Sequence, residues 1–479
     1  MMGLEQTQQK WWRRISRWIL IGVLVLLVAE YSYSSPIPTT RAAASGDWPT
    51  YVFDNGRSGF NSAETIFNQN TAPNLKLHWS YHGGGTISSQ PVEANRMIYW
   101  GSWDGLEHAT HLNGGLAWST NLGQTNDTSC VPGKVGVAST ATVASVTILG
   151  VPTPVVFVGG GNAHFYALNA NSGAVIWNTS LGSSPSHFIW SSPAVYNGSV
   201  YIGVSSFGDC PSVKGELIQM NASTGTIQHV FNVVPTGCLG GSVWGSPAID
   251  ESDGTLYFAT GNKSTCSQTE PLAFAVVKLR ASDLALLSSW QVPASQRTKD
   301  SDFGSTPTLF QATIGGTLHH LVGVANKNGI YYAFDRSSLS SGPIWQATIA
   351  IPGPCAECGD GSISPGAWDG KLLYVAGGTT TIHGSSCKGG LRALNPANGT
   401  FVWEHCFNAG SVLAAVTVVP GVVAVGEGTD MVVIATATGK SLFTYHDTNS
   451  SSRFFGATSI SNGVLYIGNR DRNLYAFGL

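Results

Sequence analysis

One short pattern recurs along this chain and constrains what it can fold into. Ala167-Leu-Asn-Ala-Asn-Ser-Gly-Ala-Val-Ile-Trp177 returns as Ala393-Leu-Asn-Pro-Ala-Asn-Gly-Thr-Phe-Val-Trp403. Looser copies run from Ala109 to Trp118, Met220 to Gly225, Leu279 to Trp290, Ala333 to Trp345 and Ile434 to Phe443. Each follows short apolar runs such as Ser199-Val-Tyr-Ile-Gly203 or Leu372-Leu-Tyr-Val-Ala376. In physical terms, a strand ends in an Asn-x-x-x-Gly turn and an aromatic residue opens the next strand. The Gly supplies a backbone conformation that a Cβ would make costly. A single four-stranded sheet of this kind cannot bury both faces, but a ring of them can, with each Trp covering its neighbour's flank.

The repeat therefore predicts an all-β, eight-bladed β-propeller over residues 45–479, with seven blades as the alternative. Seven copies are internal. The eighth is split: Leu474-Tyr-Ala-Phe-Gly-Leu479 supplies one half, and Leu75-Lys-Leu-His-Trp79 the other. Pairing the two ends within one blade would close the ring and hide its edges. Composition agrees. The 58 glycines and 15 tryptophans, with only 11% charged residues, suit many short strands joined by tight turns. A net charge of −3 offers no basic footprint, so nucleic acid is not an expected partner.

The first residues follow other rules. Lys10, Arg13, Arg14 and Arg17 precede an apolar run from Trp18 to Ala29. This reads as a cytoplasmic basic segment (1–17), a hydrophobic helix (18–34) acting as signal peptide or membrane anchor, and a linker (35–44). The expectation is an exported propeller, either secreted or held at the cell membrane. Export favours disulfides among the eight cysteines, with their pairing left open. Cys355-Ala-Glu-Cys358 could form a local bridge or a redox or metal motif, but the Gly359 that follows disfavours covalent haem.

At this spacing the repeat resembles the tryptophan-docking motif of the quinoprotein alcohol dehydrogenases. Asp47-Trp-Pro-Thr-Tyr51, with Asp54 and Arg57, looks like that family's N-terminal segment. The resemblance implies pyrroloquinoline quinone (PQQ) and a divalent metal, Ca2+ or a lanthanide, as cofactors. Four stretches carry it. In Ser242-Val-Trp-Gly-Ser-Pro-Ala-Ile-Asp250, Trp244 matches the floor under the quinone, and Asn262 after it matches a metal ligand. Lys299-Asp-Ser-Asp-Phe-Gly-Ser-Thr-Pro307 looks most like polyvinyl alcohol dehydrogenases. It puts Asp300 in the place of the catalytic base and metal ligand, and Asp302 in that of a further metal ligand. Lys327, ahead of Asn-Gly-Ile-Tyr, matches the cation that reaches a quinone carbonyl. Asp209, one residue out of step, stands where the family has a glutamate metal ligand. The family's adjacent cysteine pair is absent, and Cys130 falls alone in roughly that region.

The function implied is oxidation of a small or polymeric alcohol to a carbonyl compound, with hydride passing to the quinone. Without a haem site in the chain, an external electron acceptor such as a cytochrome is needed. Outer-membrane assembly lipoproteins share the repeat and are not enzymes, so the rival reading is a cofactor-free scaffold outside the cytoplasm. Geometry separates the two. An enzyme requires Trp244, Asn262, Asp300 and Lys327 to meet at one end of the central channel.

Overall fold

The structure is a computed structural model that describes residues 46–449 and 452–479. The expected helix over 18–34, its basic flank and the linker to 44 lie outside these residues. Among the described residues, no helix is long and apolar enough to cross a membrane.

The described residues form an eight-bladed β-propeller. Each blade is an antiparallel sheet with four main strands stacked outward from the centre, in chain order except in the closing blade, and one blade carries a short fifth strand, His187–Phe188. Blade 4 is typical: Ala248–Asp250, Thr255–Ala259, Ala275–Arg280 and Leu286–Gln291. In blade 5 the strands are Thr308–Ile314, Thr317–Ala325, Ile330–Asp335 and Trp345–Thr348. Several innermost strands begin with small residues, among them Ala194, Ala248, Thr308, Ala367 and Ser459, as the crowded axis demands. Blade 8 closes the ring as the split copy implies: Lys76–His82 pairs antiparallel with Asn473–Gly478, Lys76 opposite Gly478 and His82 opposite Asn473.

The recurrent Trp does what the repeat predicts. Trp118 donates its indole N–H to the Ala170 carbonyl of the next blade at 2.9 Å, and Trp177 does the same to Ala222 at 3.1 Å. Trp345, Trp403 and Trp79 repeat the bond to Pro396, Thr436 and Leu112. Each ring closes over the motif glycine of the neighbouring turn. At Gly173, φ is +70°, and a Cβ there would stand 2.6 Å from the Trp118 ring. The repeat is thus an inter-blade joint: the turn needs glycine both for its conformation and for the indole it receives.

Two further devices bind the ring near its axis. Hydroxyls pass from blade to blade along the segments entering the innermost strands. Thr140 Oγ1 accepts from Gln90 N, Ser192 Oγ from Thr140 N, Ser246 Oγ from Ser192 N and Thr306 Oγ1 from Ser246 N, at 2.8–2.9 Å. The N-terminal segment 48–61 then runs around the inner strands and bonds to every blade. Trp48 N reaches Glu93, and the Pro49 carbonyl takes Val143 N. Asn55 Nδ2 reaches the Val195 carbonyl, and the Asn55 carbonyl takes Ile249 N. The Gly56, Ser58 and Gly59 carbonyls take Leu309, Trp368 and Val418 N, and Asn61 Nδ2 reaches Ile460. Arg57, fully buried, donates to the carbonyls of Tyr51, Pro193 and Pro247 and to Thr50 Oγ1.

All eight cysteines pair: Cys130–Cys210, Cys238–Cys266, Cys355–Cys358 and Cys387–Cys406. The Cys355–Cys358 motif is therefore a local bridge. Cys130 is joined to a distant partner, not to an adjacent cysteine.

Candidate active site

Propeller strands alternate in direction. The segment entering an innermost strand and the turn from the second to the third strand therefore emerge on the same face. Trp244 lies on the segment entering blade 4, and Asn262 just beyond the second strand of that blade. Asp300 and Asp302 lie on the segment entering blade 5, and Lys327 in the turn after its second strand. Topology alone brings the five to one face of two neighbouring blades.

Their side chains meet. Asp300 accepts from Asn262 Nδ2 at 2.8 Å through one oxygen and from Lys327 Nζ at 3.0 Å through the other. Lys327 Nζ also stands 2.6 Å from Asp302 Oδ1. Asp302 Oδ2 accepts the Trp244 indole N–H at 3.0 Å. The ammonium lies 5.0 Å from the Trp244 ring centroid, above the face of the indole. Trp244, Asn262, Asp300 and Lys327 are half-buried, while Asp302 is buried behind them. The four residues named as a geometric test therefore converge, as an enzyme requires.

Electrostatics give the two carboxylates different characters. Burial would raise Asp300, but the Lys327 charge, aided by the Asn262 amide, outweighs it and holds the carboxyl below its ordinary value. Asp302 is pushed up to about 6, first by burial and then by the Asp300 charge, with Lys327 opposing. Lys327 would be lowered by burial, but Asp302 and Asp300 together hold it above its ordinary value. The cluster thus contains an ionised carboxylate at its open side and a permanent cation beside it.

Close packing fixes this arrangement. A Cβ at Gly304 would stand 2.1 Å from the far edge of the Trp244 ring, and one at Gly361 would meet the Lys327 carbonyl at 2.0 Å. Asn326, fully buried, donates to the Ser301 carbonyl at 2.8 Å and so ties the Lys327 turn to the aspartate segment. These three supporting residues were missed from sequence. Gly304 and Asn326 offered one signal, their type beside matched positions, and Gly361 offered none.

Asp209 is not brought into the cluster. It is exposed, sits at φ +59° beside the Cys130–Cys210 bridge, and makes no bond to Asn262, Asp300 or Lys327. The site nonetheless has the donors a hard cation needs. The Asn262 amide oxygen is buried without a hydrogen-bond partner, next to the ionised Asp300. Such an orphaned oxygen is costly unless something takes it up. A half-buried indole face with a cation above it likewise suits a flat anionic ring. The residues present fit a quinone and a metal.

Comparison with known proteins agrees in fold. A polyvinylalcohol dehydrogenase from Sphingopyxis sp. (strain 113P3) is 22% identical, over 92% of this chain and 75% of that protein. The quinohemoprotein alcohol dehydrogenase from Comamonas testosteroni superposes with a TM-score of 0.70 at 18% identity, over 91% of this chain and 81% of that one. A europium-containing methanol dehydrogenase superposes with a TM-score of 0.71 at 16% identity, over 91% and 98%. The family model described as outer membrane protein assembly factor BamB matches residues 106–350 and 326–478, well over half of the chain. The chain therefore belongs to that family of PQQ-type β-propellers, which its relatives named as quinoprotein alcohol dehydrogenases resemble in fold.

Proposed function

We propose that this protein is a PQQ- and metal-dependent alcohol dehydrogenase. The observation that carries the reading is the convergence of Trp244, Asn262, Asp300 and Lys327 around one ionised carboxylate. Trp244 would be the floor of the quinone, and Asn262 and Asp300 would hold the cation, Ca2+ or a lanthanide. When bound, the quinone supplies a two-electron acceptor and the cation a Lewis acid.

The chain's own residues do the rest. Asp300 stays ionised beside Lys327 and takes the hydroxyl proton of the alcohol. Lys327, fixed between two carboxylates, holds a positive charge where negative charge develops. Trp244 orients the flat ring by stacking. The substrate is a small or polymeric alcohol and the product a carbonyl compound. Electrons leave to a separate acceptor such as a cytochrome. Export, by signal peptide or with a membrane anchor, is supported by the basic and apolar runs of residues 10–29 and by four disulfides.

A scaffold of the assembly-factor kind needs no such cluster: a buried Lys between two Asp is costly to build and serves no docking surface. The test is dye-linked oxidation of alcohols by protein loaded with PQQ and Ca2+. Loss of activity in Asp300→Asn with retained quinone binding supports the reading; an inert loaded protein rejects it.

A further inference from the structure

Asp302 differs from the other members of the cluster in where it stands. Its side chain is 8% exposed, against 14% for Lys327 and 21% for Asp300, so it lies behind the open side. Its two oxygens face different partners, Oδ2 through a hydrogen bond and Oδ1 through an ion pair alone. Oδ2 takes the Trp244 N–H at 3.0 Å, and Oδ1 faces Lys327 Nζ at 2.6 Å. Its carbonyl also receives the Lys327 backbone N–H at 3.4 Å. Two residues on, Gly304 lies against the opposite edge of the same indole. One short segment thus grips Trp244 at both edges and Lys327 at both ends of the residue.

We infer that Asp302 is a positioning residue that sets the plane of Trp244 and the height of Lys327 above it, and is not a metal ligand in this chain. The inference rests on the quinone reading above. Ligation through Oδ2 would release the indole N–H and leave that donor unpaired, and ligation through Oδ1 would set the cation against the Lys327 ammonium 2.6 Å away. The metal site then carries one carboxylate, Asp300, with a neutral amide, Asn262. A trivalent cation gains more than a divalent one from each added carboxylate, so a site without Asp302 gives a lanthanide no special advantage.

The test uses the full chain labelled with 5-fluorotryptophan, with the Trp244 resonance assigned from Trp244→Phe. The variants Asp302→Ala and Asp302→Asn are compared with the parent, first alone and then titrated with PQQ in CaCl2 or in LaCl3. Asp302→Ala should shift and broaden the Trp244 signal in the cofactor-free protein. It should also weaken PQQ binding about tenfold, by the same factor with either metal. Asp302→Asn, whose amide oxygen can still accept the indole N–H, should restore most of the Trp244 signal. An unchanged Trp244 signal in Asp302→Ala overturns the inference. So does a selective loss of affinity in LaCl3, whatever the indole signal does. Should the parent bind no PQQ with either metal, the functional reading falls, and the fluorine signal still decides the positioning role.

Discussion

Lys327 Nζ stands 3.0 Å from the Asp300 carboxylate, across the gap between a turn of blade 5 and the segment that enters it. This contact makes the carboxylate a usable base: the charge keeps it ionised despite its burial, and the same charge stays in place for the reaction. Replacing Asp300 with Asn keeps the shape and the bond to Asn262 but removes the proton acceptor. Turnover at saturating alcohol, PQQ and Ca2+ should fall about 10²–10⁴-fold, the usual contribution of a general base. Steady-state kinetics beside a quinone titration check this.

Removing the cation has a different signature. Lys327→Met leaves Asp300 and Asp302 facing each other without a counter-charge, and breaking a buried pair costs about 3–5 kcal/mol, less here because Lys327 is partly exposed. Urea unfolding should show a loss of about 2 kcal/mol or more, and a second substitution, Asp302→Asn, should recover part of it.

Stability should also respond to pH through Glu427. This residue ends the strand Val422–Glu427, and burial, reinforced by the Asp430 charge, pushes its carboxyl up to about 8. An acid raised in the folded state binds more protons there than in the unfolded chain. Its contribution is therefore full in the acid range and is lost as pH rises through about 8. Thermal unfolding of the parent should fall between pH 5 and pH 8, and Glu427→Gln should flatten that decline. An equal slope in both proteins would remove Glu427 as its source.

The inter-blade joints can be probed one at a time. Gly173→Ala puts a Cβ 2.6 Å from the Trp118 ring at a φ of +70°. The expected cost is about 1–3 kcal/mol in chemical denaturation. Arg57→Met strips donors from three buried carbonyls, those of Tyr51, Pro193 and Pro247, and should cost about 3 kcal/mol or more. It should leave the Asp300–Lys327 contact intact.

The ring was legible because its signal is local and repeated. The Asn-to-Gly turn and the following Trp lie within one short stretch, and their partner in the next blade obeys the same pattern, so one motif reports five of the joints, those of Trp79, Trp118, Trp177, Trp345 and Trp403. The strap at 48–61 was not legible in this way. Arg57 binds carbonyls at positions 193 and 247, and carbonyls carry no side-chain identity. The hydroxyl chain through Thr140, Ser192, Ser246 and Thr306 recurs before four of the inner strands, but Ser and Thr are too common in turns to stand out. At the site, residue types placed Trp244, Asn262, Asp300 and Lys327. They did not show that Asp302 turns back toward the indole or that Asp209 faces solvent, since loop geometry decides both.

Under the proposed function, the open side of this cluster receives a quinone above Trp244 and a cation beside Asn262 and Asp300. Titrating the purified protein with PQQ in the presence of Ca2+, with Trp fluorescence and quinone absorbance followed together, tests it most directly. The expected result is saturable quenching with a bound-quinone spectrum, both lost in Trp244→Ala and both dependent on the metal. Unquenched fluorescence and a free-quinone spectrum at saturating PQQ and Ca2+ would contradict it.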